Sequence, residues 1–249
     1  MHSNNYILMY IVAMSAIVAM ALALAFSGLK PIHDANEAVF KKRDILSAIK
    51  GQVENEMAVD VLNAPAEKVF SIFKDKVKQV VIDANGEVVE EGEGAGEEKG
   101  VADKIDMKQE EKKPLADRLY PVYVYQGDGE NIYLVAVRGN GLWDKIWATV
   151  AIKEDFNTIA GISFDHVTET AGLGAEIKDN DAWKAKFTGK KLYNENNDFV
   201  SVAVVKGGVK IQDHQVDAIA GATITSDGVT EMMNRGLKIY EPYFESLKN

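Results

Sequence analysis

The chain has 249 residues, 47% hydrophobic and 27% charged, which places it among globular proteins and argues against a disordered or collagenous polymer. Acidic residues outnumber basic ones 38 to 28, a net charge of −10, so a surface built to coat nucleic acid is not expected. Cysteine is absent, which removes disulfides, cysteine-ligated zinc, thiolate-held iron–sulfur clusters and thiol nucleophiles. The histidines, His2, His33, His166 and His214, include no pair at helical metal-ligand spacing, so no metal site is expected and redox chemistry would need an organic cofactor.

From Tyr6 to Phe26 the chain reads YILMYIVAMSAIVAMALALAF without a charge. At 1.5 Å per residue this run spans about 30 Å, the hydrocarbon thickness of a bilayer. It exceeds the apolar core of about 7 to 15 residues in a cleavable signal and lacks a basic start, so an uncleaved membrane anchor is expected. Lys30, Lys41, Lys42 and Arg43 follow the run while MHSNN precedes it, and by the positive-inside rule this charge bias favours a cytoplasmic body.

Between Pro31 and Lys50 the apolar residues Ala38, Val39, Ile45, Leu46 and Ile49 recur near helical spacing, which predicts a stalk helix leaving the membrane. The next stretch, Asn85 to Lys113, is glycine-rich with ten acids and five lysines, and its composition predicts a solvated insertion or mobile loop unable to anchor a core. After Pro114, YPVYVY, a GDGE turn at Gly127 to Glu130, NIYLVAVR, WDKIWATVAI and IAGISFDHV predict an antiparallel meander. DAWKAKFTGKKL reads as a short helix and FVSVAVVKGG as a further strand. Val229, Met232, Met233, Leu237, Tyr240 and Phe244 then form one apolar stripe on a final helix, Ser226 to Leu247, that would cover the sheet. The expected fold class is α+β: a single N-terminal transmembrane helix followed by an antiparallel-sheet domain with a C-terminal helix.

Three segments can carry chemistry. DAIAGATITSDG, Asp217 to Gly228, is small and rich in hydroxyls. Gly221 and Ala222 allow a bulky group near the backbone, and Thr223, Thr225 and Ser226 stand where the first amides of a helix lack internal partners. Such a start either caps itself or receives a phosphate, which it stabilises by about 0.3–2 kcal/mol. ETAGLGAE, Glu169 to Glu176, is either a plain glycine loop or a place where backbone amides lie against a flat ring beside Leu173. In GNGLW, Gly139 to Trp143, the Asn140-Gly141 pair predicts a type I′ hairpin turn, with Trp143 as core or membrane-proximal packing.

Asp217, Gly221, Ala222 and Thr223 resemble the acceptor motif of covalent FMN proteins, Asp-x-x-x-(Ser/Thr)-Gly-Ala-Thr, with Ala220 standing where Ser or Thr is usual. ETAGLG resembles a Glu-Thr-Pro-Gly-Leu-Gly stretch of the same proteins, with Ala171 in place of proline. GNGLWDKIWA, the single N-terminal span and the order of these features resemble the NqrC family, a component of the sodium-translocating NADH:quinone oxidoreductase; the G component of the related Rnf complex shares the ETAGLG and GATITS motifs, and the GLW phrase separates the two.

The resemblance implies a one-electron carrier whose FMN is joined by a phosphoester to Thr223, placed there by a flavin transferase, with Thr225 the weaker acceptor. It implies cofactor contacts at Leu142, Trp143, Glu169, Thr170, Gly172, Leu173, Gly174, Asp217, Gly221, Ala222 and Thr225, and no catalytic acid or base. Its partners would be the other members of an assembly of six subunits, NqrB, NqrD and NqrE among them. The single-pass chain would lie in the bacterial inner membrane with its soluble domain on the periplasmic side, against the charge bias. The organisation would be an anchor over 1–30, a helical stalk and acidic loop region over 31–113, and a covalent FMN-binding domain over 114–249. Lys206, after the VAVV run, is an edge lysine that could lie near a flavin and stays outside the expected site. A membrane-anchored binding or scaffolding domain, with Thr223 only a helix cap, is the contrasting expectation.

Overall fold

The computed structural model describes residues 4–57, 59–127 and 129–248. His2 lies outside them, as does Asp128 of the expected Gly127–Glu130 turn. Helix α1 (Asn4–Ser47) runs unbroken from the apolar stretch through Pro31 into the soluble body, and α2 (Lys50–Met57) and α3 (Ala66–Lys76) follow. Strands β1 (Val77–Ile82) and β2 (Val88–Gly92) precede a short helix α4 (Met107–Glu110). The meander then consists of β3 (Tyr120–Gln126), β4 (Asn131–Asn140), β5 (Lys145–Lys153) and β6 (Ile159–His166). These six strands form one antiparallel sheet in the order β2-β1-β3-β4-β5-β6, so the 31–113 segment contributes two strands to it.

Strands β3 to β6 read as nearly continuous apolar runs because both faces of this part of the sheet are covered. Along β4, Ile132 and Leu134 point to one side, where they pack with Ile45, Leu46, Val69 and Phe73 from α1 and α3. Tyr133, Val135 and Val137 point to the other, against Met233, Leu237 and Phe244 from the C-terminal helices. The alternation is the period of two expected of a strand, and the stalk helix therefore ends as the second cover of the sheet.

The acidic glycine-rich stretch departs from expectation. β2 pairs with β1, Ala102 and Asp103 are buried, and the glycines provide clearance. A Cβ on Gly94 would lie 1.9 Å from the Phe73 carbonyl oxygen, and one on Gly100 would lie 2.2 Å from the Gln79 side chain. Glycine here lets the segment pass directly over α3 and β1, and composition could not distinguish this from looseness.

After the sheet come α5 (Glu176–Asp179), α6 (Asp181–Lys184) with a 3₁₀ turn (Ala185–Phe187), and a two-stranded parallel sheet of β7 (Ala203–Val205) and β8 (Gln215–Asp217). The strand expected over FVSVAVVKGG shrinks to β7. The final helix is two, α7 (Thr223–Lys238) and α8 (Glu241–Leu247), interrupted before Pro242, which cannot donate an amide to a continuing helix. All six residues of its expected stripe are buried.

Candidate functional site

The GNGLW turn is the first wall of the site. Asn140 pairs with Lys145, and the Gly141 amide donates to the Asp144 carbonyl at 2.8 Å, closing a four-residue connection instead of the expected two-residue type I′ turn. Gly141 has no left-handed φ, so its glycine serves space. A Cβ there would lie 2.4 Å from Glu169 Oε1.

Glu169, three residues beyond β6, is buried and holds the cluster together. Its Oε1 accepts from the Trp143 amide at 3.0 Å and its Oε2 from the Thr225 hydroxyl at 2.6 Å, while its own amide donates to His166 Nδ1 at 3.1 Å. A Cβ on Gly174 would lie 2.3 Å from Oε2, so glycines flank both carboxylate oxygens. The loop turns back on itself through Leu173 and Ala175 amides donating to the Thr170 carbonyl, with Gly172 at φ +73°. Trp143 Nε1 donates to Thr170 Oγ1 at 3.2 Å, laying the exposed indole against this loop.

The third wall is the start of α7. Gly221 adopts φ +76°, and a Cβ there would lie 2.7 Å from Leu173 Cδ2. Ala222 is the cap residue and makes no side-chain cap bond, so the first amides of α7 keep their donors and the positive end of the helix dipole is open. Thr223 is the first helical residue and is exposed, whereas Thr225 is 1% exposed and committed to Glu169. Thr223 is therefore not the cap. Beyond the first turn, a Cβ on Gly228 would lie 2.1 Å from the Asn140 carbonyl oxygen, a close approach that seats α7 on the end of β4.

The contacts thus join Trp143, Glu169, Thr170, Leu173, Gly174, Gly221 and Thr225, with Ala222 and Thr223 following in the chain. Exposed apolar side chains, Leu142 (46%), Trp143 (67%), Leu173 (41%) and Ile224 (55%), accompany them. Asp217 stands apart from these bonds: its carbonyl accepts from Trp183 Nε1 at 2.7 Å and its carboxylate pairs with Lys186 at 3.3 Å, tying β8 to the α6 segment. Lys206 is exposed just beyond β7. Sequence reasoning missed Gly141 as a spacer and His166, whose only signal was its place three residues before Glu169. A cavity of about 570 Å³ between the 107–118 loop and α7, and one of about 1110 Å³ between α1 and β6, are lined by none of the expected site residues.

A free hydroxyl beside open helix amides, next to exposed aromatic and aliphatic side chains, suits a ligand with a phosphate at one end and a flat apolar ring at the other. Residues 141–238, which contain the second and third walls and the Gly141 to Trp143 part of the first, match the family described as FMN-binding domain. The chain is 32% identical over 229 residues to the C subunit of the Na(+)-translocating NADH-quinone reductase of Vibrio vulnificus, covering 88% of this chain and 85% of that one. The corresponding protein of Neisseria meningitidis is 33% identical over 257 residues, covering 97% and 93%. Among solved structures, the same reductase component from Parabacteroides distasonis superposes with a TM-score of 0.71 at 32% identity, covering 87% of this chain and 96% of that one. Shewanella oneidensis NqrC gives 0.64 at 28% identity, covering 84% and 98%.

Proposed function

Because the chain belongs to the NqrC family, a component of the Na(+)-translocating NADH-quinone reductase and so of an oxidoreductase, we propose that it is a one-electron carrier with FMN esterified to Thr223. The observation that carries this reading is the contrast between the two threonines: Thr223 is exposed at the first position of α7, and Thr225 is buried and bonded.

The residues present fit the group. The first-turn amides and dipole of α7 suit the phosphate, and Leu142, Trp143 and Leu173 suit the ring. FMN, once bound, supplies the redox chemistry, and the chain supplies position, a covalent hold and partial exclusion of water. No side chain is assigned as a general acid or base, because single-electron transfer needs none. We keep the division into an anchor over 1–30, a stalk region over 31–113 and the cofactor domain over 114–249 as part of this proposal.

We propose that the soluble body lies on the periplasmic side, as the family resemblance implies. The opposing charge argument weakens once the basic residues are located. Lys42 pairs with Asp103, Lys41 donates to the Asp103 carbonyl, and Arg43 donates to the Ala64 carbonyl. Three of the four bases after the span are parts of the folded body, which leaves Lys30 as the base next to the membrane. The partner proteins of the reductase and the flavin transferase belong to the same reading.

The test is coexpression with the transferase followed by a denaturing gel. A fluorescent band at the mass of the chain, abolished by Thr223→Val and kept by Thr225→Val, is the expected result. A dark band with unmodified mass overturns the reading.

A further inference from the structure

We propose that Glu169 is a positioning residue that decides which hydroxyl is presented for modification: by holding the Thr225 hydroxyl inward, it leaves Thr223 alone facing out. This rests on the reading of Thr223 as the attachment point. Three hydroxyls lie in the first turn of α7, those of Thr223, Thr225 and the buried Ser226, and the acceptor chemistry of the two threonines is the same. A threonine oxygen bonds to the FMN phosphorus of a flavin dinucleotide, the pyrophosphate P–O bond breaks, the adenylate leaves and the hydroxyl proton passes to water. Chemistry alone does not choose between them.

The structure separates the two. Thr225 Oγ1 donates to Glu169 Oε2 at 2.6 Å, at the short end for an O–H···O hydrogen bond. Both residues are buried. The other carboxylate oxygen is held by the Trp143 amide, so Glu169 cannot swing away with Thr225 without releasing the GNGLW turn. Gly141 and Gly174 leave room for the two oxygens and for nothing larger: a Cβ at either position would overlap one of them. The carboxylate of the 169–176 loop is therefore held from two sides, by the GNGLW turn and by α7.

The prediction separates the bond from the bulk. Glutamine at 169 can keep both interactions, its oxygen accepting from Trp143 and its amide donating to Thr225, while alanine removes both and opens space beside Thr225. The full-length variants are coexpressed with the transferase, and the attached mass is mapped by peptide. Thr223→Val is expected to carry no label, and Thr223→Val with Glu169→Gln none. Thr223→Val with Glu169→Ala should gain label on Thr225, at least about tenfold above the Thr223→Val background.

With Thr223 intact, Glu169→Ala should divide its label between the two threonines, and Glu169→Gln should keep it on Thr223. Thermal unfolding of each variant establishes that the domain is folded. Label on Thr225 in Thr223→Val alone overturns the proposal, as does an unlabelled Thr223→Val, Glu169→Ala protein when the Glu169→Ala single variant is labelled normally on Thr223. If the parent chain carries no flavin, the attachment reading itself fails, a distinct result.

Discussion

The Lys42 ammonium lies 2.9 Å from Asp103 Oδ2 with both side chains buried, at the point where the stalk helix meets the acidic stretch. Asp103 also accepts from Tyr123 Oη at 3.1 Å and from the Gly100 amide at 3.1 Å, and Lys42 sits 4.7 Å from the centre of the Phe73 ring. Asp103→Asn would leave the ammonium unpaired in the interior, a cost of about 3–5 kcal/mol. Adding Lys42→Met should restore most of that loss, because asparagine can still accept from Tyr123. Denaturant unfolding of the four proteins of this cycle in detergent measures the coupling; additive losses would contradict it.

Trp143 tests the ring-facing surface without disturbing the core. Its side chain is 67% exposed, so Trp143→Ala should change stability by no more than about 0.5 kcal/mol. In flavin-loaded protein the same change should raise flavin emission, since an indole near the ring quenches it. Unchanged emission would remove Trp143 from the site.

Gly174→Ala asks how tightly the site is built. The new methyl would fall 2.3 Å from Glu169 Oε2 and 2.7 Å from Thr225 Oγ1, both parts of a buried hydrogen bond. A loss of about 1–3 kcal/mol is expected from the forced shift, accompanied by lower flavin content. Gly172→Ala meets no atom within 4 Å, and its penalty comes from φ +73° alone, about 1 kcal/mol. Melting temperatures and the ratio of visible to protein absorbance distinguish the two.

Asp44, on the face of α1 against β6, titrates above the usual carboxylate range because burial disfavours its charge. The Ser163 hydroxyl at 3.0 Å and the Lys178 and Lys184 charges oppose that shift, and Asp165 adds to it. A raised folded-state pKa means the folded protein holds this proton more tightly than the unfolded chain, so its contribution to stability grows as pH falls toward the ordinary value of 3.8. Asp44→Asn, fixed in the neutral form, should therefore be more stable than the parent near pH 7 and lose that advantage toward about pH 4. A difference independent of pH would refute the assignment.

Much of this was legible in the chain because local pattern and tertiary use agreed. The meander announced itself through β-branched and aromatic runs, and the stripe from Val229 to Phe244 fell on one buried face. The site motifs were legible as segments: GNGLW, ETAGLG and GATITS do converge. What the chain concealed was reach. Nothing local to Glu169 says that its oxygens bind an amide 26 residues before it and a hydroxyl 56 residues after it. Likewise Gly94, Gly100 and Gly141 read as turn or linker glycines, while their use is to admit a neighbour that sequence order does not bring near.

Helix α1 runs without interruption from the apolar stretch to Ser47, and residues 27–37 between that stretch and the body are exposed. At 1.5 Å per residue those eleven residues set a stand-off of about 16 Å between the apolar stretch and the body, in the manner of a rigid post rather than a string. The FMN proposed at Thr223 would thereby have a set height and a narrow arc, with its donors and acceptors at that elevation. Bending, where it occurs, concentrates at Pro31, which has no amide hydrogen to give and crowds the Ser27 carbonyl one turn below.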